Sequence, residues 1–293
     1  MALTWRRALP SRTRWPGSAY AESTLAQAAW ERTRRKATRW AWTGLLCGAL
    51  LAVPAFAPAA WLADLVAARS AGRLLLADAR GTVWDGSAIP VLAGGPDSRS
   101  AAMLPGRASW RLGWQGLAPQ LHLRQPCCID GELVLQLRPG LDRWSVQLPP
   151  GPLGQWPAAW LTGLGAPWNT LQLGGTMRLT SSGLTLDVAG GRWQLAGQAE
   201  LELGNVTSPL TTLERLGSYR LQVQAAGGQP PAFVLSTLDG DLLLDGTGQW
   251  TGTQWRFRGE ARAAPGAESE LDNLLNFFGR RQGALSLLSI GSP

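Results

Sequence analysis

The chain has 293 residues, 45% of them hydrophobic, and a formal net charge of +7. This content is enough to bury a core and excludes a chain that is disordered throughout. Residues 1–39 hold nine basic and two acidic side chains, whereas the remaining residues hold 18 of each. The excess positive charge therefore belongs to an N-terminal tail, which disfavours a basic domain that binds nucleic acid.

The tail, residues 1–39, mixes arginine with small residues and proline and lacks a sustained apolar face. We expect a largely flexible cytoplasmic segment that sets the topology of the chain. Basic side chains close to a membrane span stay on the cytoplasmic side, because moving them across is costly. The positive-inside cluster consists of Arg32, Arg34, Arg35, Lys36 and Arg39.

A charge-free segment, residues 40–63, follows this cluster. As a helix it would extend about 36 Å, which is enough to cross a hydrocarbon core of about 30 Å. Pro54 and Pro58 are expected to kink its second half. The sequence thus predicts one transmembrane helix. Indole side chains favour membrane–water interfaces, and the interface anchors are Trp40, Trp42 and Trp61.

A cleavable signal peptide is the competing interpretation of this segment. Its apolar region would cover residues 45–53, and its cleavage site would be the triplet at residues 55–57, Ala-Phe-Ala. We favour the uncleaved anchor, because the apolar run continues past that site. Both interpretations place residues 64–293 in the periplasm of a Gram-negative cell, and the anchor makes the chain a single-pass protein of the cell inner membrane.

The exported part reads as strand after strand separated by glycine-rich turns. Apolar residues alternate with polar ones at period two, as in Leu242 and Leu244 against Asp241 and Asp245. Each strand therefore has one apolar and one polar face. We expect a mainly β domain, built as a curved antiparallel meander.

A patch rich in Pro, Gly and Trp interrupts the strands after Leu148. It suggests two halves of the exported domain, residues 64–150 and 166–293, and a short helix is expected at 157–163. Over residues 268–281 apolar side chains recur at helical spacing, with acidic residues first and arginines last. This pattern predicts one short C-terminal amphipathic helix laid against the sheet.

Cys127 and Cys128 are adjacent in the sequence. In an oxidising compartment they can form a vicinal disulfide that locks a turn, and the alternative is a pair of thiols on a strand. The sequence leaves both states open. Cys47 lies within the apolar segment, where we expect it to fill space as a small apolar residue.

No catalytic, cofactor-binding or metal-ligating residue is predicted. His122 is the single histidine, and no nucleophile motif accompanies it. The aspartates fall mostly in turns, where solvated residues are common, and no glycine-rich phosphate loop precedes a helix. No Cys and His spacing matches a zinc site. We therefore expect no enzyme, no cofactor, no small-molecule substrate and no nucleic-acid partner.

Several strings of this sequence resemble protein N of the type II secretion system. They are LLLADARGTVWDGSA, LGAPWNTLQLGGTMRLTSSGL, LSTLDGDLLLDGTGQW and RFRGEARAAPGAESELDNLLNFFGRRQG. The resemblance covers most of residues 40–290 and excludes the basic tail. That family also looks similar in design to AsmA-like envelope proteins, whose curved sheets form open apolar grooves. The resemblance therefore implies a groove or half-pipe of antiparallel strands.

The resemblance also implies a function. The chain would be an accessory inner-membrane subunit of the machine that exports folded periplasmic proteins across the outer membrane. Its role would be structural, and its partners would be the inner-membrane platform and periplasmic subunits of that machine. The alternative is a lipid-binding or lipid-transfer groove protein of AsmA-like type, whose discriminating feature would be a continuous apolar concave face.

Overall fold

The computed structural model describes residues 40–140, 142–190, 192–250, 255–283 and 285–290. The chain divides into two compact units, Met1–Phe56 and Ala57–Pro293. The described part of the first unit is helical, and the second unit contains a large sheet and the helices that cover it.

The first unit is helical over residues 40–55, named α1. The structure differs here from the predicted single helix over 40–63, because residues 56–58 are not helical and a new helix, α2, spans Ala59–Arg69. Pro58 explains the break, since proline lacks a backbone N–H and disfavours a helical residue before it. Within the described residues no helix is both long and apolar enough to cross a membrane.

The second unit is built on one antiparallel sheet, to which the described residues contribute 16 strands. The sheet is open, because no ladder joins its first strand, β1, to its last, β15, among those residues. The predicted mainly β, antiparallel domain is confirmed. The strands are β1 (Leu74–Gly81), β2 (Asp85–Ala93), β3 (Ala101–Met103), β4 (Ala108–Gln115), β5 (Ala118–Arg124), β6 (Leu133–Pro139), β7 (Arg143–Leu148), β8 (Gly151–Pro157), β9 (Gly174–Ala189), β10 (Arg192–Thr207), β11 (Gly217–Ala226), β12 (Ala232–Asp239), β13 (Leu242–Trp250), β14 (Trp255–Ala263), β15 (Arg280–Gln282) and β16 (Leu285–Ile290).

Most strands lie beside their neighbours in sequence. The order across the sheet is β1-β2-β4-β5-β6-β7-β9-β10-β11-β12-β13-β14-β16-β15, with β3 paired to β2 and β8 paired to β9. Such an arrangement is a meander, in which nearly every connection is a hairpin.

The strand side chains divide into an apolar face and a polar face. At the centre of the sheet, Leu201 on β10 lies opposite Leu179 on β9 and Leu221 on β11. The preceding residue, Glu200, lies opposite Gln222. Because consecutive residues of a strand point to opposite faces, the alternation in the sequence becomes one apolar and one polar side of the sheet.

The patch between the two suggested halves does not interrupt the sheet. β7 pairs with residues 184–189 of β9, and β8 pairs with residues 176–181 of the same strand. Pro149 and Pro150 separate β7 from β8, because proline offers no N–H to a ladder. A 3₁₀ helix, Ala158–Leu164, forms where the sequence predicts a short helix. Strands on both sides of the patch thus belong to one sheet.

The larger buried cluster lies between the apolar face and helix α4, Glu268–Phe278. This helix forms where the amphipathic pattern predicts it. Its Leu271, Leu274 and Leu275 are at most 1% exposed. The short helix α3, Trp168–Leu171, joins the same cluster. The sheet residues in the cluster include Met177, Tyr219, Leu242 and Ala261.

Helix α2 covers a second, smaller part of the apolar face. Ala59 packs with Ala88 on β2 and Trp110 on β4. The Trp110 Nε1 atom donates a hydrogen bond of 3.0 Å to the carbonyl oxygen of Val83. These contacts fix β2 and β4 against α2.

Tyr219 is a buried tyrosine on the apolar face, 2% exposed. Its hydroxyl donates a hydrogen bond of 3.0 Å to the carbonyl oxygen of Leu242. Burial, with a smaller contribution from the charges of Asp239 and Asp241, raises the pKa of Tyr219 well above its ordinary value.

Truncation of Leu274 tests the packing of α4. Leu274→Ala should lower the free energy of unfolding by about 2–5 kcal/mol, because it leaves a cavity in a closed cluster. Leu238→Ala is the matched control, since Leu238 is 41% exposed and its loss should cost about 0.5 kcal/mol. Denaturant titration of the detergent-purified full chain, followed by tryptophan fluorescence, measures both. Equal losses would contradict this packing.

Tyr219 should also make the fold sensitive to alkali. Above about pH 10 the unfolded chain loses the phenol proton while the folded chain retains it, so the free energy of unfolding should fall by about 1.4 kcal/mol per pH unit. Below that pH the contribution is fully present. Denaturant midpoints measured from pH 9 to 11.5 should show this slope in the wild type and lose it in Tyr219→Phe. An unchanged slope in the variant would assign the alkaline loss to other groups.

Candidate binding surface

The apolar face is covered at two places and open between them. The residues under α2 and under α4 form the two buried clusters described above. The intervening apolar side chains are partly exposed and belong to neither cluster. We call them the open strip, which consists of Leu135, Leu137, Val146, Leu186, Leu195, Val223 and Phe233.

The register places the open strip on one side of the sheet. Leu137 on β6 lies opposite Val146 on β7, which lies opposite Leu186 on β9, which in turn lies opposite Leu195 on β10. From β6 to β12 the strip crosses five strand intervals, about 24 Å. A contiguous apolar area of this extent marks a binding surface.

At β13 and β14 the open strip ends, and the apolar face there carries glycines in place of larger side chains. The ring of Phe257 lies over Gly246, Gly248 and Gly259, and a Cβ atom on Gly246 would overlap with its Cζ atom. A Cβ atom on Gly259 would lie 3.0 Å from the Cε1 atom of the same ring. The missing side chains thus let one aromatic ring lie flat on the backbone of two strands.

The polar face carries cross-strand ion pairs. Arg143 Nη2 lies 3.3 Å from Asp187 Oδ1, and Arg220 Nε lies 2.9 Å from Glu200 Oε1. On the rest of the polar face, described pairs join Arg111 to Asp85 at 2.9 Å and Arg124 to Glu132 at 2.9 Å. Partly exposed pairs of this kind contribute little stability. Their main effect is to make this side of the sheet polar, so that it remains exposed to solvent.

His122, the single histidine, lies on this polar face. Its Nδ1 atom is 3.2 Å from Glu132 Oε2. Hydrogen bonding from His122, followed by that from Arg124, lowers the pKa of Glu132. Arg111 on β4 is the cross-strand neighbour of His122. The histidine is thus held among charged side chains on the solvent side of the sheet.

Cys127 and Cys128 are joined by a disulfide bond in the turn between β5 and β6. The Cys127 residue is exposed and Cys128 is 6% exposed. The backbone N–H of Gln155 on β8 donates a hydrogen bond of 2.7 Å to the carbonyl oxygen of Cys128. The locked turn therefore connects the β5–β6 hairpin to β8.

The predicted interface anchors lie in both units. Trp40 and Trp42 are on α1 and are 77% and 60% exposed. Trp61 is 53% exposed and lies on α2, in the unit that carries the sheet. The thiol of Cys47 is free and exposed on α1. The positive-inside cluster, Arg32, Arg34, Arg35, Lys36 and Arg39, lies outside the described residues.

The remaining candidates for a functional site are metal-ligand clusters and exposed tryptophans. Among the described residues no three His, Cys, Asp or Glu side chains are grouped to hold a metal ion. Trp110 is buried, whereas Trp114, Trp144 and Trp193 are 69%, 47% and 43% exposed. From the sequence alone, these strand tryptophans can either pack in the core or face a partner or lipid, and alternation does not decide between the two.

One comparison identifies the chain. The model of the family "Type II secretion system (T2SS), protein N" matches residues 72–287, a span that contains strands β1 to β15, the start of β16 and helix α4, but not α2. No curated protein and no solved structure matches the chain. The resemblance seen in the sequence is therefore confirmed, and the chain is a component of the type II protein secretion system. It belongs to the type II secretion system protein N family.

Proposed function

We propose that this chain is an accessory structural subunit of the secretion system, anchored in the inner membrane with its sheet in the periplasm. Family membership supports the system, and the order of basic cluster, charge-free segment and β unit supports the topology. The anchor would include the helical residues 40–55, whose leucines are 60–74% exposed. Such side chains favour a lipid environment over water.

The uncleaved anchor is favoured over a signal peptide by the contacts of Ala57. This residue is 6% exposed, and its carbonyl oxygen accepts a hydrogen bond of 2.9 Å from the N–H of Val83. Pro58 forms a β-bridge with Thr82. Cleavage after Ala57 would remove a residue that belongs to the folded unit.

The proposed contact with other subunits is the open strip. We further propose that the apolar face is concave, as the resemblance implies. Trp193 on β10 and Trp250 on β13 support this, because their ring centroids are 5.8 Å apart, although three strand intervals cover about 14 Å in a flat sheet. A concave apolar strip accepts an apolar segment of another secretion subunit. No catalytic step forms part of this function.

A lipid-binding or lipid-transfer groove is the second candidate. The same open strip favours it, since the strip is continuous over six strands, and acyl chains need apolar surface without directional contacts. The two candidates differ in the occupant of one surface, so a probe placed on that surface separates them.

A photo-crosslinker on β6 tests the occupant. Leu137 lies in the open strip, and its neighbour Gln136 points to the polar face. Benzoylphenylalanine at position 137 of the full chain, in native membranes, should yield an adduct with another secretion subunit at least several-fold above that at position 136. Adducts with phospholipid alone would favour the groove, and equal protein adducts at both positions would contradict the proposed surface.

The intact mass of the mature chain tests the anchor. We expect the protein extracted from membranes to retain Ala57 and the segment before it, because its apolar residues hold it in the bilayer. Mass spectrometry of the C-terminally tagged chain gives the answer directly. A mature chain that begins at Pro58 would show signal-peptide cleavage and contradict the anchor.

A further inference from the structure

Six hairpins of the sheet turn at the same end. Strands adjacent in the sheet run antiparallel throughout, so alternate connections fall at opposite ends. We call the end at which these six hairpins turn the tryptophan end. The described residues at this end are the connecting residues 82–84, 116–117, 140, 142, 190 and 227–231, together with the paired strand ends Trp250 and Trp255.

Tryptophans line this end on the apolar face. Trp144 on β7 lies opposite Val188 on β9, which lies opposite Trp193 on β10, and Trp193 stacks on Trp250. Trp114 stands one residue from the end of β4, and the next turn carries Leu117, which is 97% exposed. From β1 to β13 the end extends over ten strand intervals, about 48 Å. The result is a long, narrow row and not a pocket.

The two ends of the sheet differ in charge. Among the described connecting residues of the tryptophan end, Asp142 alone is charged, and the first residues of β2, β7 and β10 are Asp85, Arg143 and Arg192. The connections β2–β3, β5–β6, β10–β11 and β12–β13 lie at the opposite end and carry Asp97, Arg99, Asp130, Glu132, Glu214, Arg215 and Asp241. The side chains of Asp85, Arg143 and Arg192 point to the polar face, so placing the apolar side of the tryptophan end against lipid does not require their removal from water.

We propose that the tryptophan end is a lipid-binding edge that lies on the surface of a phospholipid bilayer. Indole rings combine a large apolar body with an N–H donor, and for this reason they concentrate at the headgroup level of membranes. Leu117 inserts below the rings, as the apolar side chains of peripheral membrane segments do.

The path of the chain favours a bilayer over a protein as the occupant. The sheet unit begins with Ala57 and Pro58, and both pair with the β1–β2 connection at the tryptophan end. In the sequence, Phe56 alone separates them from residues 40–55. The docking inference thus rests on the proposed anchor, which would deliver this end of the sheet to the membrane.

Fluorescence quenching in proteoliposomes tests the docking. The full chain carries the environment-sensitive dye NBD on Leu117→Cys in a Cys47→Ala background, and the vesicles contain phosphatidylethanolamine, phosphatidylglycerol and lipid with a nitroxide at carbon 5. Thr212→Cys is the matched control, since Thr212 is also exposed but lies in the β10–β11 connection at the opposite end. Native Cys47, labelled in the unmodified chain, reports on the anchor.

We expect quenching at position 117 to exceed that at position 212 at least three-fold. Replacement of Trp114 and Trp144 by serine should remove most of the difference, because the rings hold the edge at the interface. Equal, weak quenching at positions 117 and 212 would overturn the docking. If Cys47 is strongly quenched in the same vesicles, the anchor is retained and only the docking fails. Strong quenching at 117 without quenching at Cys47 would keep the docking and overturn the anchor.

Discussion

The register between neighbouring strands is the constraint on which this structure depends. A slip of one residue between β9 and β10 would move Leu201 and Leu203 to the polar face and Glu200 and Glu202 into the buried cluster. Burying two carboxylates without partners costs far more free energy than the shifted strand pairing could contribute. The glycine at position 197 supports the register, since it has a positive φ opposite the irregularity in β9, where a Cβ atom would overlap with the carbonyl oxygen of Gly183.

Both helical covers follow from that register. α4 packs its leucines in one cluster with Leu242 on β13 and Ala261 on β14, and α2 places the small Ala59 against the fully buried Ala88. Between them the face stays open because no segment of the described chain lies over it. The open strip therefore follows from the alternation of the strands in the described part of the chain, whose helices pack elsewhere on the apolar face.

Much of the fold was readable from local pattern. Period-two alternation predicted the strands, and the spacing of Leu271, Leu274 and Leu275 predicted α4, because each signal depends on residues that are neighbours in the chain. The break at Pro58 was harder, since proline is tolerated in membrane helices and ends helices elsewhere. The state of Cys127 and Cys128 stayed open, because it depends on compartment and turn geometry. Which tryptophans are buried depends on contacts between distant strands, and alternation alone carries no such information.

The sequential order of the strands has a consequence for how this protein folds. Each strand from β9 to β14 pairs with the strand made just before it, so the chain needs only short loops to close its contacts. In the proposed location the part of the chain after the anchor crosses the membrane with β1 first, so each later hairpin can pair with a strand that has already folded. The sheet can thus assemble by extension, one hairpin at a time, and its last step is the return of β16 beside β14 with α4 closing over the face.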